Sequence, residues 1–126
     1  MRTSVQPLGA PPAVGAYSPG VLADGWLFTS GQVGVDPGTG TPHSTVEEQV
    51  EGALSNLRDL LAAAGGTLDD VVSVTCLLSD MGSFDAFNKI YARWFGPTFP
   101  ARATYGVRLG DGFLVELQAV AYIGNV

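Results

Sequence analysis

The hydrophobic positions of the chain change period several times, and each change marks an element. Val21-Leu22-Ala23 and the run from Trp26 to Val33 are apolar stretches separated by Asp24-Gly25. Asp-Gly between two such runs is a strong signal for a two-residue hairpin. Side chains alternate along a strand, so Trp26, Phe28 and Ser30 share one face of the second run. From Val46 the period becomes helical: Val46, Val50, Ala53, Leu54, Leu57, Leu60, Leu61 and Ala64 form one stripe. Ser44 or Thr45 can cap this helix, with Glu47 or Glu48 closing a capping box, and Gly65-Gly66 ends it. Val71 to Leu78 is β-branched and reads as a mostly buried strand, with Cys76 on the face of Val72, Val74 and Leu78. Ser83 caps a second helix, whose stripe is Phe84, Phe87, Ile90, Tyr91, Trp94 and Phe95 and whose stop is Gly96-Pro97. Asn88 lies off the centre of that stripe and reads as a surface amide. The last segment predicts a second hairpin: Arg102 to Leu109, a Gly110-Asp111-Gly112 turn, then Phe113 to Ile123.

The order is β-β-α-β-α-β-β, an α+β layer architecture with two helices on one face of a sheet. Residues 1–126 read as one domain without an internal repeat. Two helices cannot cover both faces of the sheet, which points to self-association. The Pro-, Gly- and Ala-rich stretch 7–20 is an extended lead-in, in which Tyr17 is the one large polar aromatic.

Composition narrows the function classes. A net charge of −6 with only six Lys and Arg residues argues against broad binding to nucleic acid or acidic membranes. No apolar run approaches the roughly 20 residues that span a bilayer. No hydrophobic region follows Met1-Arg2, so a signal peptide is not expected and a cytoplasmic location is. Cys76 is the only cysteine and reads as core; His43 is the only histidine and reads as a solvated loop residue. No metal site is expected from so few ligands. Gly38-Thr39-Gly40 lacks the third glycine and the strand-to-helix setting of a dinucleotide fingerprint.

The candidate chemistry centres on Phe99-Pro100-Ala101-Arg102-Ala103-Thr104. An arginine entering a strand among apolar neighbours needs an anionic partner, and its guanidinium fork suits a carboxylate. That partner is either an acidic residue of the chain or a bound ligand. Glu116 and Gln118 share one face of the closing strand, and Arg102 is a candidate partner for either. Ser30-Gly31 ends its strand with a small hydroxyl and bare backbone, where a ligand could approach closely and where an ordinary strand could equally end.

Taken together, several stretches resemble the RidA family, also called YjgF or endoribonuclease L-PSP. They are Gly15-Ala16-Tyr17-Ser18-Pro19-Gly20, Thr29-Ser30-Gly31-Gln32, the helix bearing Asn88, Phe99-Pro100-Ala101-Arg102, and Val115-Glu116-Leu117-Gln118-Ala119-Val120-Ala121. The resemblance implies a chorismate-mutase-like fold with a mixed sheet. It also implies a homotrimer with a central barrel and a cleft at each subunit interface. The implied activity is hydrolysis of enamines and imines such as 2-aminoacrylate to 2-oxo acids and ammonia, without a cofactor. By the same resemblance Arg102 grips the substrate carboxylate, Tyr17 lines the cleft, Ser30 and Gly31 face the ligand, and Asn88 matches an asparagine of the second helix; Thr104, counted with the binding residues, stands where many members carry cysteine. Gln118 stands where the family's typical deaminase has a water-orienting glutamate; an amide can hydrogen-bond a water but cannot take its proton. That departure leaves open a homologue that binds small carboxylates without turning them over. A ribonuclease or translation-inhibitor role, attached to some relatives, is disfavoured by the acidic charge.

Overall fold

The computed structural model describes residues 1–7, 15–36 and 38–124; part of the lead-in read from the sequence, residues 8–14, lies outside the described residues. Strands Gly20–Ala23 (β2) and Trp26–Thr29 (β3) form the expected hairpin, with Leu22 opposite Leu27. Asp24 and Gly25 take φ of 51° and 82°, the left-handed conformation a tight two-residue turn demands. Thr3–Val5 (β1) adds an edge strand along β2. It is too short and too polar for the hydrophobic pattern to mark.

Helix α1 spans Val46–Ala63. Thr45 caps it: its hydroxyl accepts from the Glu48 amide at 3.1 Å and donates to the Glu48 carboxylate at 3.0 Å. At the other end the Gly65 and Gly66 amides donate back to Ala62 and Leu61, with Gly65 at φ 89°, which closes the helix in a Schellman turn. Helix α2 spans Phe84–Phe95 and connects Val71–Leu78 (β4) to Ala101–Gly106 (β5). A helical crossover returns the chain in the same direction, so β5 pairs parallel to β4.

This crossover corrects the expected second hairpin. The closing strand β6, Val115–Tyr122, does not pair with β5; it lies between β3 and β4 and is antiparallel to both. Among the described residues the strand order is β1-β2-β3-β6-β4-β5. An apolar strand with Val115, Leu117, Ala119 and Ala121 all buried belongs in the centre of a sheet. There both of its edges are hydrogen-bonded. β5 accordingly ends at Gly106, and Arg108 sits exposed in the connecting loop. A register shift between Val71 and Ser73 corrects a second expectation. It buries Val71 and turns Val72 outward, away from the face of Val74, Cys76 and Leu78.

Both helices cover one face of the sheet. Leu54, Leu57 and Leu61 of α1 and Phe87 of α2 are fully buried against Leu27, Val74, Cys76 and Leu117. The opposite face exposes Trp26, Phe28, Tyr105 and Tyr122, and the Trp26 and Tyr122 rings meet at 4.8 Å.

Gln49 is a polar residue that the helical pattern passes over, yet it is fully buried. Its amide nitrogen donates to the carbonyls of His43 and Gly112 at 2.7 and 2.8 Å, and its oxygen accepts from the Leu114 amide at 2.7 Å. One side chain thus ties α1 to the loop before it and to the loop that feeds β6. Gln49→Leu keeps the volume and strips three backbone groups, part-buried around it, of their partners. The expected loss of unfolding free energy is about 2–4 kcal/mol, read from denaturant melts; a loss below about 0.5 kcal/mol would contradict the role given to the amide.

Candidate functional site

Among the described residues the six strands contain one basic and one acidic side chain, Arg102 on β5 and Glu116 on β6. They lie on opposite faces of the sheet. Arg102 is in register with Val74 on the helix-covered face, whereas Glu116 is opposite Leu77 on the bare one. Arg102 is therefore not the partner of Glu116 or of Gln118, which the sequence had left as candidates.

The partner of Arg102 is Asn88. Its Oδ1 accepts from the guanidinium Nη1 at 2.8 Å, so the expected surface amide is a half-buried anchor. Phe84, Phe87, Asn88 and Tyr91 recur at i, i+3, i+4 and i+7 and so form one face of α2. Arg102 Cζ lies 4.7 Å from the Tyr91 ring centre and 5.6 and 5.7 Å from those of Phe84 and Phe87. Aromatic faces attract the cation without neutralising it. The ion pairs among the described residues, Arg58 with Asp59 and Arg93 with Glu51, do not involve Arg102. A half-buried guanidinium with one amide acceptor keeps donors free for an anion. Beside it opens a cavity of about 360 Å³ lined by Asn88, Tyr91, Ala92, Phe99, Pro100 and Arg102.

Thr104, next on the same face, is in register with Cys76. Burial pushes the Cys76 thiol up to about 12, against the opposing pull of Arg102 and of a hydrogen bond with Thr104. The Tyr91 hydroxyl is likewise raised, first by burial and then by Cys76, and it has no hydrogen-bond partner among the described residues. Both groups hold their protons at neutral pH, which removes Cys76 as a nucleophile.

The remaining candidates gather across the sheet. The Ser30 hydroxyl donates to the Ser18 carbonyl and the Ser30 amide to the Pro19 carbonyl, which holds exposed Tyr17 near the end of β3. Phe28 pairs with Val120 and Gln32 with Leu117, so four steps on one strand face three on the other. The extra residue is a bulge at Ser30-Gly31, of the kind that re-aims side chains beside functional sites. The Glu116 carboxylate rests against Gly31, where any added Cβ would collide with it. Gln118 is exposed on the same face, opposite Thr75. The structure thus puts Arg102, Asn88 and Thr104 on one side of the sheet and Gln118 on the other, with Ser30 and Gly31 at the end of β3 and Tyr17 one residue before the Ser18 that Ser30 binds. The bulge and the unpartnered Tyr91 hydroxyl leave no mark in the sequence, since both depend on pairing and packing at a distance.

A larger groove of about 880 Å³ runs between α1 and α2. Its lining mixes Glu47, Glu51 and Asp85 with Arg58, Lys89 and Arg93, and it contains none of the candidate site residues. No three metal-ligating side chains converge among the described residues, and no described helix is long and apolar enough to cross a membrane.

Residues 8–123 match the family model described as Endoribonuclease L-PSP. The human protein named 2-iminobutanoate/2-iminopropanoate deaminase is 41% identical over 98% of this chain and 92% of its own length. The crystal structure of RidA from the Antarctic bacterium Psychrobacter sp. PAMC 21119 is similar at TM-score 0.89 and 34% identity, over 96% of this chain and 99% of the other. That of E. coli TdcF with bound serine is similar at TM-score 0.88 and 31% identity, over 95% and 98%.

Tyr91→Phe keeps the ring over Arg102 and removes the unpartnered hydroxyl. Its expected effect on unfolding free energy lies between zero and a gain of about 1 kcal/mol, by thermal or denaturant melts. A loss of that size would show the hydroxyl to be bonded after all.

Proposed function

This chain belongs to the endoribonuclease L-PSP family, also called RidA or YjgF, and on that premise we propose that it is an imine deaminase. Its reaction is the hydrolysis of 2-aminoacrylate-type enamines and imines to 2-oxo acids and ammonia, with Arg102 holding the substrate carboxylate. The observation that carries this reading is the Arg102 guanidinium, caged by aromatic rings and anchored by one neutral amide beside an open cavity. A small carboxylate supplies the missing anion and is oriented by the fork that receives it. The deaminases named among the relatives support the reaction, and the relative solved with bound serine, itself an amino acid, supports the ligand class.

The proposed assembly is a homotrimer with sites at the subunit interfaces. Two features support it. The bare sheet face exposes Trp26, Phe28, Tyr105 and Tyr122. The sheet also separates Arg102 from Gly31 and Gln118 within one chain, so a second copy is needed to bring Arg102 to them. The expected solution mass is three times the 13.1 kDa of the chain, by analytical ultracentrifugation.

Gln118 favours a second reading, a trimer that binds small carboxylates without turning them over, because its amide cannot accept a proton. One experiment separates the two. A serine dehydratase generates 2-aminoacrylate, semicarbazide traps what survives, and pyruvate is followed with and without this protein. A deaminase outcompetes the trap, and Arg102→Ala lowers kcat/KM on the order of 100-fold, the loss of a charge-assisted bidentate contact. An inert wild type that still binds 2-oxobutyrate by calorimetry selects the binding protein. Wild-type turnover undiminished in Arg102→Ala would remove the arginine from the mechanism.

A further inference from the structure

The groove between α1 and α2 contains none of the candidate site residues, yet it carries charge in an order of its own. β3 and β4 are both antiparallel to β6, so they run the same way. α1 returns the chain from β3 to β4, and α2 returns it from β4 to the parallel β5. The two helices are therefore parallel, and like ends meet. Their first turns bring carboxylates to the groove, Glu47 and Glu48 on α1 and Asp85 on α2. Later turns bring Arg58 on α1 and Lys89 and Arg93 on α2, three of the six Lys and Arg residues of an acidic chain. At 1.5 Å of rise per residue the acidic and basic ends stand about 16 Å apart along α1 and about 12 Å apart along α2.

The basic end is held in place. The Glu51 carboxylate accepts from Arg93 Nη2 at 3.3 Å and from the Trp94 indole N–H at 3.0 Å. The Arg58 guanidinium lies over the Trp94 ring, 5.5 Å from its centre. Each arginine has one carboxylate beside it, Asp59 or Glu51, which leaves donors free on both. Between the two ends the lining is small or apolar, with Gly52, Ser55, Ala86 and Ile90. Two smaller hollows, of about 480 and 400 Å³, carry the trough past Trp94 to Leu68 and Thr67.

A trough of this length between two parallel helices has the dimensions of a third helix, about 10 Å across. Helices favour acids in their first turn and bases in their last. Laid antiparallel to α1 and α2, such a helix sets its acids on Arg58 and Arg93 and its bases on Glu47, Glu48 and Asp85. Laid parallel, it sets like charge on like. A second copy of this chain fits less well. The charge order is self-complementary about a two-fold axis, but an isologous contact sets one hollow against another and fills neither.

We propose that the α1–α2 groove docks one amphipathic helix of a partner protein, antiparallel to both helices. That helix has acidic first turns, basic last turns and a narrow apolar stripe that packs on Gly52, Ser55, Ala86, Ile90 and Trp94. Docking is independent of the deaminase reading, since it uses neither Arg102 nor turnover.

The test uses a fluorescein-labelled synthetic helix of about 14 residues, long enough to hold helical turns. It carries an Ala and Leu stripe, Glu in its first two turns and Lys in its last two. A control peptide has the same composition with Glu and Lys alternating. Binding is read by anisotropy at low salt for wild type, Arg58→Glu and Ala86→Trp, with ultracentrifugation and thermal melts of each. The expected Kd for wild type and the sorted peptide is about 10–100 µM, with the alternating peptide about tenfold or more weaker. Arg58→Glu loses about tenfold and regains it toward a peptide with Lys at both ends. Ala86→Trp fills the floor, leaves the charges in place and also loses about tenfold or more. A benzophenone on the first residue of the sorted peptide cross-links to residues 58–69. Equal affinity for the two peptides, binding of neither, or cross-linking to residues 43–51 overturns the proposal. A wild-type mass twice that of Arg58→Glu shows a second copy in the groove and overturns it as well.

Discussion

One parallel strand pair governs the layout of this molecule. β4 and β5 run side by side only because α2 carries the chain back over the sheet between them. That crossover lays α2 across the face that β5 presents, and the first residue of β5 able to point there with a charge is Arg102. The guanidinium is then caught between Asn88 and three aromatic rings of the same helix. The same crossover moves β5 to the edge and leaves the slot beside β4 to the closing strand β6. The positions of Arg102 and Glu116, the one basic and the one acidic residue in the described strands, on opposite faces, therefore follow from a single topological fact.

Much of this was legible in the sequence. The Asp24-Gly25 hairpin, both helices with their stops, and the buried run 71–78 announce themselves through local period and turn chemistry, and each forms where it should. What failed was non-local. Two strands adjacent in sequence and joined by a glycine-rich turn look like a hairpin, and nothing in 101–123 says that β4 has come between them. Val72 looked like a partner of Val74 because alternation assumes regular pairing, and one register shift breaks that assumption. Arg102, Gly31 and Gln118 could be singled out as chemistry, but not sorted by face, since the sorting depends on which strand lies next to which.

The polar groups inside the structure divide into two kinds. Gln49 is satisfied at both ends and couples a helix to two loops, so its burial adds order. The Tyr91 hydroxyl and the Cys76 thiol are buried beside Arg102 with their protons held by burial. They give the floor under the guanidinium shape and polarisability but no acid–base chemistry. The outer side of the sheet carries Gln118 and Glu116, the latter against Gly31.

The aromatic cage around Arg102 has a kinetic consequence. A protein of net charge −6 surrounds itself with a negative potential that repels a small anion at distance. The half-buried guanidinium is a single positive charge in a protein of net charge −6, so its attraction outweighs the surrounding field chiefly at close range. Dissolved salt screens the distant repulsion over roughly 8–10 Å while touching the enclosed contact less. Encounter with a carboxylate should therefore quicken as ionic strength rises, the reverse of the usual behaviour of an anion seeking an arginine.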